Sequence, residues 1–478
     1  MITSDAPVDG ARPYSTRLRT AVVLTGTGTA GAYHAGVLRA LHEAGVRIDL
    51  VAGRGIGAVG AMFAAVDGGQ RLWDRTGLWK GGGMASTYRW RTPLRVAGWA
   101  LVASAGLLAV PLLISAIGVV AGLVAVLLSM LTLSTASTAV TSAYARALDA
   151  LFAPDALPTV IPGLIVFSLL AGFAALAVGF AMAAWRAPAR RRVKDGALWR
   201  LLGAPLSTTL VLERATAELW NLIRGAAAIA PPPRTDLGRR YLELLAENLG
   251  QPGFRELLLI AHDMDARRDV VFALLAESHR QRFFGRTSAV DGGRAAEAFD
   301  LAGVGRDHVM DALAANLSVP VATEPHLVRF APDGPWRGET HRLCDRPDAL
   351  ERVLDEVAAA GAEQVILLSP APPPGRPHEL SRGRGNLRGR AAEQLSSFEA
   401  ASLRDAIERT PGRFAGLFVI RPAHNPLGPL DLDGVYDERS DRHYSVAELV
   451  DRGYEDAYHQ FIEPVVAASG ERIVVVQS

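Results

Sequence analysis

The sequence predicts an α/β fold, a parallel sheet with helices on both faces, split in two by a long apolar insert. Three observations carry this. First, "TAVVLTG" (Thr20–Gly26) and "RIDLVAG" (Arg47–Gly53) read as buried strands on either side of the helical "AYHAGVLRALHEAG". Strand, helix and strand in so short a span make a βαβ unit, hence a parallel pair with a right-handed crossover. Second, residues 96–145 and 156–185 contain no Asp, Glu, Lys or Arg, whereas ~20 apolar residues suffice to span a bilayer. Third, helix–strand pairs resume beyond residue 250, as a sheet completed after an interruption requires.

Taken in order, residues 1–18 are expected to form a disordered leader, and "MITSDAPVDGARPYSTRLR" has no apolar signal-peptide core. In the first helix Tyr33, Val37, Leu38 and Leu41 share one face, and Gly45 suits its C-terminal cap. A strand follows, then a glycine-rich turn and the apolar helix "GAVGAMFAAV". Residues 19–90 thus form the first part of the α/β domain and 91–190 the insert. A second part, 191–370, contains amphipathic helices near 208–230, a "PPP" break, a helix at 236–249, the strand "ELLLIAHDMD" and the helix "RDHVMDALAANLS". It ends in the helix–strand pair "ALERVLDEVAAAGAEQVILLS". Residues 371–390 read as an exposed Pro/Gly/Arg loop. Residues 391–478 read as a C-terminal α/β extension with a helix at 391–409, the strand "AGLFVIRP", a helix at 446–468 and the strand "RIVVVQS".

The insert reads as two membrane-crossing helices, near 97–125 and 162–185. Arg89, Arg91 and Arg95 precede it; Arg186, Arg190, Arg191, Arg192 and Lys194 follow it; and Trp90, Trp99 and Trp185 sit at the boundaries. Basic residues collect on the cytoplasmic side and Trp at the interface. Both ends of the insert, and with them the globular part, are therefore expected in the cytoplasm, on a bacterial inner membrane. Two halves of one sheet also demand an even number of crossings. The net charge of +1 gives no field that would gather nucleic acid. Cys344 is the one cysteine, so no intrachain disulfide exists.

Two glycine turns carry the candidate chemistry. "GTGTAG", Gly26–Gly31, matches G-x-G-x-x-G. Such a loop cradles a dinucleotide pyrophosphate when an acid such as Asp49 reaches the ribose, or it only packs a helix tightly on a strand. The second turn, Gly53-Arg54-Gly55-Ile56-Gly57, has the outer glycines of G-x-S-x-G but no side chain at its centre. Covalent catalysis needs an oxygen or sulfur nucleophile there.

Together the two turns are more specific. "LTGTGTAGAYHAGVLRALHEAGVRIDLVAGRGIGAVGAMFAA" resembles the patatin-like phospholipase family throughout. "RLWDRTGLW", "LLLIAHDMDARRDVVF" and "ALAANLSVPVATEP" resemble its later segments. The resemblance implies a patatin-like parallel-sheet core, a lipid acyl hydrolase site with a Ser–Asp dyad, and an oxyanion loop formed here by Gly26, Thr27, Gly28 and Gly31. Gly53 and Gly57 would frame the elbow. Gly55 stands at the nucleophile position, Ala30 where many members carry a basic residue, and Thr27 in place of a glycine. Three candidates exist for the dyad acid. Asp345 has the right order in the chain but Arg346-Pro347 as flanks. Asp291 has the letters Asp-Gly-Gly in the wrong order. Asp67 follows the elbow helix too closely and reads as its end. Cys344, His262 and His424 read as structural, and no metal-ligand spacing or cofactor is expected. The sequence thus suggests a membrane-anchored patatin-like protein, a pseudo-hydrolase with membrane lipids as partners. The alternatives are an active lipid acyl hydrolase with a non-standard nucleophile and a lipid-binding scaffold.

Overall fold

A computed structural model describes residues 14–81, 88–151, 157–186, 203–285, 296–334, 336–373, 387–423, 427–430, 434–437 and 442–466. The chain divides into two compact units, residues 1–89 with 206–478, and residues 90–205.

The first unit is built on a nine-stranded sheet. Its strands are β1 (Thr20–Leu24), β2 (Leu50–Arg54), β3 (Glu256–Asp263), β4 (Arg268–Leu274), β5 (Ala296–Asp300), β6 (His326–Arg329), β7 (Thr340–Cys344), β8 (Gln364–Leu368) and β9 (Gly416–Ile420). The order across the sheet is β9-β8-β1-β2-β3-β4-β5, with β7 on the far end of β3 and β6 on β7. From β9 to β3 all pairs are parallel, with Val22 beside Val51 and beside Ile366. Strand order reverses at β1, so the loop after β1 opens at a switch point, where α/β sheets place their sites.

The parallel core ends at β3, and the sheet beyond it is mixed, with β4 and β5 parallel to each other. β4 turns back antiparallel on β3, and β6 and β7 form an antiparallel hairpin. The link from Asp263 to Arg268 is a tight turn with Arg267 at φ +55, too short for the crossover that a parallel neighbour needs.

The central strands are apolar on both faces because both are covered. Val22, Leu24, Val51, Leu257 and Leu259 face one core, while Ala21, Val23, Leu50, Leu258 and Ile260 face another. On the first face lie α1 (Ala30–Glu43), α2 (Gly57–Ala65) and α12 (Val446–Ala457). On the second lie α10 (Leu350–Ala359) and the later half of α11 (Leu387–Arg409), whose Ala392 and Leu395 join the first core. α6 (Thr209–Arg224), α7 (Arg234–Asn248), α8 (Glu277–Phe284) and α9 (Val309–Leu317) precede them in the chain. The crossing of α1 and α12 brings backbones into contact. A Cβ at Gly36 would overlap the Val450 carbonyl oxygen, and one at Gly453 would overlap that of Tyr33. The Tyr33 hydroxyl then donates to Asp456 Oδ2 at 3.0 Å.

Two boundaries read from sequence are corrected here. Residues 391–478 are no extension, since β9 completes the sheet and α12 seals α1. Residues 14–18 of the expected leader are part of the fold. Tyr14 is buried, its ring edge-on to Phe418 and Phe461. Residues 374–386 of the expected loop and the "RIVVVQS" strand lie outside the described residues, and α11 begins at Leu387.

The second unit is helical: α3 (Thr92–Met130), α4 (Ser134–Leu151) and α5 (Leu157–Arg186). α3 and α5 contain segments long and apolar enough to cross a membrane. Both are longer than the expected 97–125 and 162–185, and a third helix fills the interval between them.

Candidate active site

Both glycine turns leave the sheet at the carboxyl ends of adjacent strands, and they interlock. Gly26 has φ +123 and Gly28 φ +59, conformations that L side chains resist. The Gly26 carbonyl accepts the Ile56 N–H at 2.9 Å. Gly31 lies inside the first turn of α1, where its missing side chain admits the Trp79 ring. In the elbow, Gly53 abuts Ala58, and a Cβ at Gly57 would overlap the Leu24 carbonyl. Gly55 takes φ +59, and its N–H donates to Asn316 Oδ1 at 2.9 Å. Asn316 is held in turn by donating to the Ala312 carbonyl, which fixes which amide atom faces the elbow.

A Cβ at Gly55 would stand 2.8 Å from Asp345 Oδ2 and would overlap the Gly26 carbonyl oxygen. The structure therefore brings Gly55, Gly26 and Asp345 together. Asp345 arrives at the end of β7, antiparallel to β3 with Cys344 opposite His262, and its N–H donates to the Ser318 carbonyl at 3.0 Å. Asp291 lies outside the described residues. Asp67, at φ +52, ends α2.

Arg54 is the residue the sequence reading passed over. It ends β2, is 1% exposed, and reaches two buried carboxylates. Its Nη1 donates to Asp345 Oδ1 and Oδ2 at 3.0 and 2.9 Å, and its Nη2 to Glu399 Oε1 at 2.8 Å. Glu399 comes from the middle of α11, between the residues that join the two cores. One guanidinium thus serves two carboxylates in a site with no water-exposed face. Burial pushes Glu399 up to about 7, against the pull of Arg54, with Asp345 adding to the rise. Burial raises Asp345 as well. Arg54 keeps its charge, because its two partners more than offset the penalty of burial. The signal available in the sequence was position. An arginine between a buried strand and a buried helix must find a carboxylate.

The remaining polar groups are inward-facing. His34 on α1 donates from Nε2 to the Thr25 carbonyl at 2.9 Å. Burial, with Arg54 nearby, lowers it to about 3, so it is a neutral imidazole. Thr27 and Thr29 are buried, with hydroxyls lacking a partner among the described residues. Burial, with Asp345 adding, pushes the Cys344 thiol up to about 12, far from the thiolate that a nucleophile needs. His262 on β3 pairs with Asp269 on β4 at 2.8 Å, and His424 lies outside the described residues. Asp49 precedes β2, and its Oδ2 accepts the Thr20 N–H. That is the amino end of the strands, a strand's length from the Gly26 loop, so Asp49 cannot hold a ribose there. Among the described residues no group of three His, Cys, Asp or Glu could hold a metal.

The geometry resembles a hydrolase-type elbow, with a glycine loop at the preceding strand and an acid at the end of β7, and no side chain at the elbow's centre. Comparison with known proteins points the same way over a short stretch. Sixty residues, 12% of the chain, are 47% identical to patatin-like phospholipase domain-containing protein 6 of Mus musculus and of Homo sapiens. The match covers 4% of the length of those proteins. No family model matches the chain. VipD from Legionella pneumophila superposes over 96% of this chain and 71% of its own, with a TM-score of 0.28 and 10% identity, too loose to bear on function. The chain is thus related, through that stretch, to patatin-like phospholipase domain proteins.

Proposed function

We propose that this chain is a membrane-anchored patatin-like protein in which lipid acyl hydrolysis has been given up while the fold and its lipid surroundings are kept. The observation that carries the reading is the fastening of Asp345 to Arg54 behind a side-chain-free Gly55. A dyad acid has to accept a proton from the nucleophile or hold it in place. Here no nucleophile exists at the elbow, and the acid's oxygens both face a guanidinium. The volume a serine would occupy meets the Gly26 carbonyl. The N–H after a hydrolase nucleophile ordinarily helps bind the oxyanion, but that of Ile56 is already bound to the same carbonyl. The elbow thus lacks a nucleophile, the acid is paired with Arg54, and the Ile56 N–H is bound within the turn.

Anchoring rests on α3 and α5, long apolar helices whose large apolar side chains, among them Leu112, Leu123, Phe167 and Phe173, stand exposed. Helices of a soluble core would be covered by protein. With basic residues at both outer ends, the insert enters and leaves on the cytoplasmic side, and membrane lipids are the partner.

The test is turnover. Detergent-purified protein should hydrolyse phospholipids and short-chain esters no faster than a heat-inactivated sample and should take up no fluorophosphonate. Turnover abolished by Asp345→Asn would overturn the reading and favour an active hydrolase with a non-standard nucleophile.

A further inference from the structure

The insert contains more apolar helix than two crossings use. α3 has 39 residues, which is ~58 Å at 1.5 Å per residue, against a hydrocarbon core of ~30 Å. A straight helix of that length would need a tilt of roughly 60° to stay inside, beyond the range that spanning helices adopt.

The packing divides α3 in two. Its first part is paired with α5. Gly172 sits against Ala97 and Ala100, and Gly179 against Pro93. Following that antiparallel register back to the start of α5 at Leu157 reaches roughly residue 114 of α3. From there α4 takes over. The Tyr144 hydroxyl donates to the Ile114 carbonyl at 3.1 Å, and Gly118 leaves room for the phenol. The spanning pair therefore accounts for α3 up to about Ile114, close to one bilayer thickness. Pro111 stands near that point. Proline supplies no N–H to the helix ladder, which makes it a bending point.

Ser115–Met130 and α4 are left as a helical hairpin with two unlike sides. On α3, Leu123, Leu127 and Met130 are 66%, 62% and 78% exposed. On α4, Thr138, Thr141, Arg146 and Asp149 are exposed, while Tyr144 and Leu148 are half-buried.

Resting on the reading that α3 and α5 cross a membrane, we propose that this hairpin lies in the far leaflet. The chain bends at Pro111, the apolar side of Ser115–Met130 meets acyl chains, and the Ser/Thr side of α4 lies among the headgroups. A row of leucines and valines that no other described residue covers belongs in lipid. A face carrying one Arg and one Asp belongs at the water boundary, with no preference for lipid charge.

The experiment is spin-label accessibility on the full chain in phosphatidylcholine–phosphatidylglycerol vesicles, in a Cys344→Ala background. Single cysteines are placed by Leu108→Cys, Leu127→Cys and Thr141→Cys. Labels at 108 and 127 should relax with oxygen and ignore a water-soluble nickel chelate. The label at 141 should respond to the chelate. Position 127 responding to the chelate as strongly as 141 would place the hairpin in water. Position 127 shielded from both reagents would mean a protein neighbour, such as a second copy, covers it. Either result overturns the proposal while a lipid-facing 108 keeps the spanning pair. Position 108 in water would remove the membrane reading itself.

Discussion

At the elbow three ionisable side chains lie inside a packed core; along α3 leucines and valines stand uncovered. Arg54, Asp345 and Glu399 are 1%, 1% and 5% exposed, Leu123 and Leu127 66% and 62%. Each region reverses the usual distribution of polarity, in opposite senses. In the first unit the reversal is tolerated through specific partners, since every charge has a counter-charge within hydrogen-bonding distance. In the second no specific partner is present among the described residues, and in the proposed membrane a solvent of matching polarity would do the same work. Buried charge therefore depends on single atoms, while exposed apolar surface depends on area. The first should be brittle to point substitution and the second should not.

The largest effect should follow from removing the shared cation. Arg54→Met keeps length and loses the charge, leaving two carboxylates buried together. Breaking a buried pair in this way costs about 3–5 kcal/mol, so the first unit should unfold many degrees earlier in a detergent melt. The comparison sharpens if the carboxylates are removed too. Arg54→Met with Asp345→Leu and Glu399→Met should recover most of the loss, because apolar replacement of a whole buried triad is often neutral. A single Arg54→Met that melts like the wild type would show the triad to be solvated rather than buried.

Gly55→Ser is the next step down. At φ +59 a side chain is strained by about 1–3 kcal/mol, and the new Cβ must also displace the Gly26 carbonyl. A loss of at least that size is expected, with no fluorophosphonate labelling, because Asp345 stays with Arg54. Labelling by the Gly55→Ser protein that Asp345→Asn removes would mean the acid is available after all.

Much of this was legible in the chain, and the division follows sequence distance. β1, α1, β2 and α2 could be read because each is announced locally, by an apolar run and by glycines at Gly26, Gly45 and Gly55. The antiparallel edge could not. Whether β4 returns beside β3, and whether β7 docks on its end, depends on pairings that no local period encodes. The site divides the same way. Asp345 was singled out only through the patatin-like resemblance, by its order after "ALAANLSVPVATEP", and the structure puts it beside Gly55. Glu399 could not be singled out, since it sits in a polar helix remote from the turn it serves, and only Arg54 connects them. Ile56 N–H, tied to Gly26, is a backbone event that no side chain foretells.

The smallest effect concerns the proton on Glu399. Its folded-state pKa is raised by burial, from 4.5 to about 7. A raised carboxylate stabilises the fold below its unfolded value and loses that contribution as pH rises through the folded one. Stability of the first unit should therefore fall by about 1 kcal/mol between pH 6 and pH 8. Asp345, also raised by burial, pulls in the same direction. His34 is neutral down to about 3 and Tyr88 is pushed up by burial, with Asp345 adding, so neither titrates in this window. Glu399→Gln keeps an acceptor for Arg54 Nη2 and removes the titration. Melting curves of the two proteins, subtracted at each pH, cancel the surface histidines common to both. The difference should run in favour of Gln as pH rises, by a degree or two in all. A flat difference would mean that Glu399 is already ionised at pH 6 and that Arg54 balances both carboxylates, which would make the core as tolerant of charge as the insert is of exposed leucine.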